Sequence, residues 1–221
     1  ESAGVTLSAF TRRAMGRKPR IYLSSGVHGD EPAPPAALLT ALIDGTFDDR
    51  ATWFLVPLIN PAGFIKGQRE NGEGIDLNRD YLSGEAREVR DHIAWLARQP
   101  RFDLALCLHE DWEAQGFYLY ELCRALREEF CRNIRAAVTA VLPIEDGDEI
   151  DGRPVTEHGI IRPESDPALR DLWPEAIYLF KHQTDHCLTF ETPTPKTMKD
   201  RIAGQNLALR CAIDQTLESI R

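Results

Sequence analysis

Four short apolar runs constrain this chain most. Residues 20–27, 52–59, 103–108 and 187–190 are apolar, lack a helical period and are too short for ordinary helices, so they read as buried strands. Three of them stop at a residue able to bind a metal or move a proton: the first at His28, the third at His109, the fourth at Glu191. Between the first two, residues 32–43 read as a helix, with prolines in the opening turn and Gly45 at the exit. A strand, helix, strand unit predicts a sheet with helices packed on its faces, and open sheets of that kind place their sites beyond the strand ends.

The rest of the chain extends this pattern. Residues 60–81 form a long loop rich in Gly, Asn and charge, and loops of that length in a compact domain usually carry function. Ser83 is placed to cap a helix whose face is Ala86, Val89, Ile93 and Leu96, ending before Pro100. Strands are expected at 116–120 and 176–180. A longer helix takes Leu122, Leu126, Phe130, Ile134, Val138 and Val141 as its apolar face and closes at Pro143. Residues 145–174, with many acids, glycines and prolines, suit an excursion over the surface. An amphipathic helix over 196–220, carrying Ile202, Leu209, Ile213 and Leu217, ends the chain. With 221 residues, 43% of them hydrophobic, there is material for one substantial core, so residues 1–221 are expected to form a single domain.

A net charge of -9 without a basic block argues against nucleic acid or an anionic membrane as partner. No stretch approaches the roughly 20 apolar residues of a spanning helix. The five cysteines are odd in number and lack close pairing, which predicts reduced thiols and a cytoplasmic setting. The chain starts at Glu1 without the features of a signal peptide, and because the first residue is not Met a processed or truncated terminus stays open.

His28 and Glu31 share one turn, and His109 ends a separate strand. Imidazole and carboxylate are both good zinc ligands, and catalytic zinc sites use three protein ligands and leave a position for water. Taken singly, a histidine at a strand end is an ordinary structural residue, and Asn78-Arg79 an ordinary polar loop. His92, His158 and His182 are read as non-ligands. His182 and His186 lie four apart and could share a helix face, yet no acidic partner completes a zincin-type motif there.

The order of the motifs is more specific than any one of them. Gly26-Val27-His28-Gly29-Asp30-Glu31-Pro32, Pro57-Leu58-Ile59-Asn60-Pro61-Ala62-Gly63-Phe64, Arg69 through Asp76-Leu77-Asn78-Arg79, Leu108-His109 followed by Gly116-Phe117-Tyr118-Leu119-Tyr120, and Thr189-Phe190-Glu191-Thr192-Pro193 together resemble the zinc metallocarboxypeptidase family, the funnelins. The form of the first motif is most similar to bacterial murein peptide amidases and to the related aspartoacylase and succinylglutamate desuccinylase branch. The resemblance implies a three-layer α/β/α fold with a mixed, largely parallel sheet. It also implies one Zn2+ held by His28, Glu31 and His109, a substrate carboxylate gripped by Asn78 and Arg79, an oxyanion steadied by Arg69, and Glu191 as general base and acid. Tyr178 is the candidate for the family's substrate-closing tyrosine.

The activity implied is hydrolysis of the last amide bond of a peptide with a free carboxylate, such as a cell-wall peptide. The alternatives are an N-acyl amino acid amidohydrolase using the same residues and a zinc-containing binding module without activity. The resemblance leaves the oligomeric state open. In this chain Glu110 and Asp111 follow the third ligand where the family has a small hydroxyl residue. Both are expected near the metal, as partners of His109 or as contacts for a substrate amino group. The chain is also short before its first expected strand, so an edge strand or an attached domain is expected to be missing.

Overall fold

The computed structural model describes residues 6–163, 166 and 169–219. In chain order its elements are β1 (Phe10–Arg12), β2 (Arg20–Ser25), α1 (Ala33–Ile43), β3 (Thr52–Val56), α2 (Pro61–Lys66), a 3-10 turn (Leu77–Arg79), α3 (Arg87–Leu96), β4 (Leu104–Asp111) and β5 (Tyr118–Cys123). There follow α4 (Glu128–Val138), β6 (Glu149–Ile150), β7 (Arg153–Pro154), β8 (Ile160–Ile161), α5 (Glu175–His182), β9 (His186–Pro193) and α6 (Met198–Ser219). Seven strands form one sheet in the order β1-β3-β2-β4-β9-β5-β8. The central four, β3, β2, β4 and β9, are mutually parallel, while β1 and β5 run antiparallel to their inner neighbours. Among the described residues no helix is long and apolar enough to cross a membrane.

Strand alternation sends successive side chains to opposite faces of the sheet. Ile21, Leu23, Leu104, Leu106, Leu108, Leu188 and Phe190 pack with α1, α4 and α6 through Leu38, Ile134 and Leu209. Tyr22, Ala105, Cys107 and Cys187 face the other way, against Val89 and Leu96 of α3 and Ile177 and Leu179 of α5. The expected three layers, with a mixed and largely parallel sheet between them, are therefore present. The strand order reverses at β2: the chain goes from β2 to β3 on one side, then returns to lay β4 on the other. A crevice forms beyond the strand ends at such a switch point, and His28 lies just past the end of β2.

Several expected elements differ. Residues 176–180 belong to α5, a helix and not a strand. A five-residue apolar run does not distinguish the two, and the deciding cues are Pro174 at the N-cap, Glu175 in the first turn, and Lys181 and His182 in the last, which suit the helix dipole. This helix ends before Gln183, so His182 and His186 share no helix face. Leu122 belongs to β5, and α4 begins only at Glu128. The loop 60–81 contains α2, capped by the Asn60 side chain, which accepts from Gly63 N at 2.8 Å, and ended by Gly67 in the left-handed conformation. Ser83 does not cap α3; its hydroxyl donates to Asp80, whose carboxylate also accepts from Ala86 N at 2.7 Å. β1 supplies an edge strand ahead of the first one expected. Ile220, the expected end of the last helix, lies outside the described residues.

His92 is a structural histidine, fully buried between Tyr22 and Tyr81. The Tyr22 hydroxyl donates to Glu175 Oε1 at 2.6 Å, so its oxygen accepts from His92 Nε2 at 2.9 Å. Nδ1 is then the acceptor for the Tyr81 hydroxyl at 2.7 Å. Burial lowers the His92 pKa to about 3. The unfolded chain, with an ordinary histidine, takes up this proton below about pH 6.5, whereas the folded chain does so only near pH 3. Stability contributed by neutral His92 is thus complete above about pH 6.5 and lost as pH falls toward 3, at up to about 1.4 kcal/mol per pH unit. Urea unfolding at pH 6.5 and 4.5 should show this loss, and His92→Gln should reduce the slope by about one proton; an unchanged slope would contradict the assignment.

Candidate active site

The turn after β2 carries the first two expected ligands, and glycines let it press against the chain that follows. A Cβ on Gly29 would stand 2.1 Å from the carbonyl carbon of Gly63, and one on Gly63 would stand 2.5 Å from Glu70 O. This close approach lays residues 68–70 across the turn, with Gly29 N donating to Arg69 O at 3.4 Å. Arg69 is thereby held over His28 and Glu31, its Nη1 3.3 Å from His28 Nδ1.

His109 arrives from β4, the strand beside β2. Its Nδ1 lies 3.1 Å from Glu31 Oε2, and His28 Nδ1 is in direct contact with Glu31 Oε1. All three residues are buried, and one donor atom from each lies within 4.8 Å of the others. Burial by itself would lower the His28 pKa, but the Glu31 carboxylate and the bond to Asp76 more than reverse this and raise it to about 8. Burial would raise Glu31, yet the two histidines hold it down at about 2. An ionised carboxylate between two imidazoles that draw protons is a site in demand of a cation, and its donors are those a divalent metal of the zinc type prefers. These three residues could hold a metal ion.

Asp76, one of the acids of the loop 60–81, completes the support. Its Oδ1 lies 3.3 Å from His28 Nε2 and accepts from Asn78 N at 2.9 Å. Its Oδ2 accepts from Arg69 Nε at 3.0 Å. Asp76 thus orients both an expected ligand and the expected oxyanion donor. Its pKa lies well below the ordinary value because the His28 contacts and the guanidiniums of Arg69 and Arg79 outweigh burial. Asp76→Ala is expected to weaken metal binding by roughly 10- to 100-fold, measured by competition with a chelator; unchanged affinity would contradict this role.

Glu191 lies directly beside His109 across the β4–β9 pairing, and Tyr118 lies beside Glu191 on the other side. The three therefore project from one face in one row. Burial raises the Glu191 pKa well above the ordinary value; His109 opposes the shift, and Glu31, Asp111 and Asp151 add to it. Asn78 is fixed by its own carboxamide oxygen, which accepts from Glu175 N at the start of α5 at 2.9 Å, leaving its NH2 as the free donor group. Arg79 Nη1 donates to Asn78 O at 2.9 Å. His28, Glu31, Arg69, Asn78, Arg79, His109 and Glu191 all line one cavity of about 680 Å³.

Other expected positions fall differently. Tyr178 does not line the cavity; its ring packs on Tyr81 and His182, with centroids 6.0 and 4.7 Å away. As a helix, α5 presents Ala176 and Ile177 to the cavity and turns Tyr178 aside. Glu110 and Asp111 separate because β4 continues past His109. The Glu110 side chain points to the helical layer, accepting from Ala33 N at 2.8 Å and Arg201 Nη1 at 2.6 Å. Asp111 stays on the site face and accepts from the Tyr118 hydroxyl at 2.7 Å. Extending the alternation of β4 by two residues would have found this pair.

Residues 17–177 match the succinylglutamate desuccinylase/aspartoacylase catalytic domain. The chain belongs to that family. Among solved structures it is similar to a metallopeptidase candidate of Shewanella amazonensis, with 25% identity and a TM-score of 0.81 over 95% of this chain and 82% of that one. A metallopeptidase candidate of Shewanella baltica is 27% identical, with a TM-score of 0.80, covering 100% of this chain and 84% of the other. Among curated proteins, Carboxypeptidase 2 of Trichophyton rubrum is 30% identical over 92 residues, which are 38% of this chain and 17% of that protein. The chain thus matches only a small part of that carboxypeptidase's length.

Proposed function

We propose that this family member is a zinc-dependent hydrolase that removes the last residue of a peptide bearing a free carboxylate. The observation that carries the reading is the convergence, in one cavity, of a His28, Glu31, His109 donor set with Glu191, Arg69, Asn78 and Arg79. Zinc bound by the three donors would supply a water of lowered pKa and a Lewis acid for the scissile carbonyl.

The chain's own residues do the rest. Arg79 offers a planar fork matched to a carboxylate, and the free amide of Asn78 adds a second donor, so the substrate's end is fixed relative to the donor set. Arg69, clamped by Asp76, places a guanidinium for the oxygen that becomes negative as water adds. A donor so placed contributes roughly 3 to 4 kcal/mol in comparable sites. Glu191 takes the proton of the attacking water and returns it to the leaving amine, and burial beside other acids suits it to hold that proton.

The family description favours a second reading, hydrolysis of a small N-acyl amino acid. A longer substrate is supported by the cavity mouth, where Trp112, Leu169 and Leu172 are 75%, 79% and 56% exposed. Apolar side chains left in water around a polar site suit contacts with residues ahead of the scissile bond. The test is metal analysis of the purified protein together with product detection from peptides of varied C-terminus, a cell-wall tripeptide and acyl amino acids. Release of single C-terminal residues supports the proposal, and activity confined to acyl amino acids overturns it in favour of the second reading. Stoichiometric zinc without any turnover would leave a binding module.

A further inference from the structure

Glu110 grips the turn of the first two ligands at two points. Its backbone N donates to Glu31 Oε2 at 3.1 Å, and its carboxylate accepts from Ala33 N at 2.8 Å. One residue of β4 therefore holds both the carboxylate of an expected ligand and the chain two residues beyond it. Glu31 is sensitive to such a hold. One of its oxygens touches His28 Nδ1 and the other lies 3.1 Å from His109 Nδ1, so turning this carboxylate takes it away from one histidine or the other.

Nothing local replaces the anchor. α1 starts from Pro32, which makes no side-chain cap, and has no acidic residue in its first turn. Pro32, Pro34 and Pro35 lack an N–H, so Ala33 carries the one donor of the helix start that needs a partner, and Glu110 supplies that partner from a separate strand. The Glu110 side chain is fully buried, and Arg201 of α6 neutralises it through Nη1 at 2.6 Å. One turn further along α6, Gln205 Nε2 donates to His109 O at 2.7 Å. α6 thus braces the end of β4 at two consecutive residues, from the helical layer behind the cavity.

Stability alone does not account for the Glu110–Arg201 pair. A buried ion pair repays its desolvation poorly, and apolar residues of similar volume often serve a fold as well. What the charges add here is direction, because the carboxylate can meet Ala33 N and Arg201 together only with the ligand turn in place. We propose that Glu110, anchored by Arg201, is a positioning residue for Glu31, and that α6 thereby tunes the metal affinity of the site. The inference rests on the zinc reading of His28, Glu31 and His109. Glu110 itself lies outside that donor set.

Glu110→Ala and Arg201→Met are each expected to raise the zinc Kd by at least about tenfold, the scale of lost support behind a metal ligand. Competition with a chelator measures this at a temperature where the metal-free protein stays folded. Glu121→Gln is the control: it breaks a pair of the same burial, Glu121 with Arg162 Nε at 2.6 Å, formed by an acid that does not line the cavity. It should leave the Kd unmoved, whatever it does to the Tm of the metal-free protein. An unchanged Kd in Glu110→Ala or Arg201→Met, or an equal rise in Glu121→Gln, overturns the proposal and leaves the zinc reading intact. A wild type that binds no zinc overturns both. If either test variant melts early, Glu110→Gln or Arg201→Gln takes its place with the same expected rise.

Discussion

Replacing Glu191 by glutamine is expected to lower kcat by roughly 10³-fold, within the range for losing a general base and acid, while metal content stays stoichiometric. The reasoning is geometric. Glu191 is the register partner of His109 across β4 and β9, so it stands beside the donor set without belonging to it. Glutamine keeps the shape and the burial but cannot accept a proton at neutral pH. Steady-state kinetics beside metal analysis checks both halves. A variant that loses its metal would make Glu191 a ligand, and one that retains full kcat would move the proton transfer elsewhere.

His28→Ala should remove the metal itself. Losing one of three ligands is expected to weaken affinity by more than the roughly 100-fold that supporting residues reach. His28 is also where the supporting contacts converge, touching Glu31, Asp76 and Arg69, so its loss frees the oxyanion donor as well as the site. Stability reports the change without any substrate. At a free metal concentration about 100 times its Kd, binding adds about 2.7 kcal/mol to the folded state, equivalent to a shift of roughly 5–10 °C in Tm for a chain of this size. Adding a chelator should therefore lower the Tm of the wild type and leave that of His28→Ala unmoved. Equal shifts in both would place the metal elsewhere.

How far the sequence disclosed this site follows from the range of the signals. His28 and Glu31 share a turn, and His109 and Glu191 end uninterrupted apolar runs, so local pattern alone put them at strand ends. The pairing of β4 with β9 joins residues far apart in sequence, and only the ordered motifs hinted at it. Tyr178 was misplaced because five apolar residues read equally well as strand or helix, and the choice decides which side chains share a face. Glu110 and Asp111 were grouped by adjacency, although the pleat of β4 sends neighbours to opposite layers. Leu122 matched the helical spacing of Leu126 and Phe130 but is held in β5 by its partner Cys187. β1, three exposed residues along the edge of β3, carries no apolar signal and owes its form to the strand it pairs with.

The hairpin that carries Arg153 divides the cavity by provenance. The donor set and Glu191 stand on parallel strands or the turn at their ends, each locked by neighbours on both sides. The opposing wall is joined to the sheet through the pairing of β8 with β5 and the packing of Ile150 and Ile161 on Tyr118. The tip of its hairpin, Asp151 to Pro154, is exposed and held by a two-residue turn and one tyrosine hydroxyl. Insertions, deletions and charge changes at that exposed tip disturb few buried contacts, so preference for one substrate over another can drift while the chemistry stays intact. Related chains that keep His28, Glu31, His109 and Glu191 but differ at the hairpin tip, residues 151–154, would then be different enzymes built on one reaction centre, and grafting that tip between them would transfer selectivity without transferring catalysis.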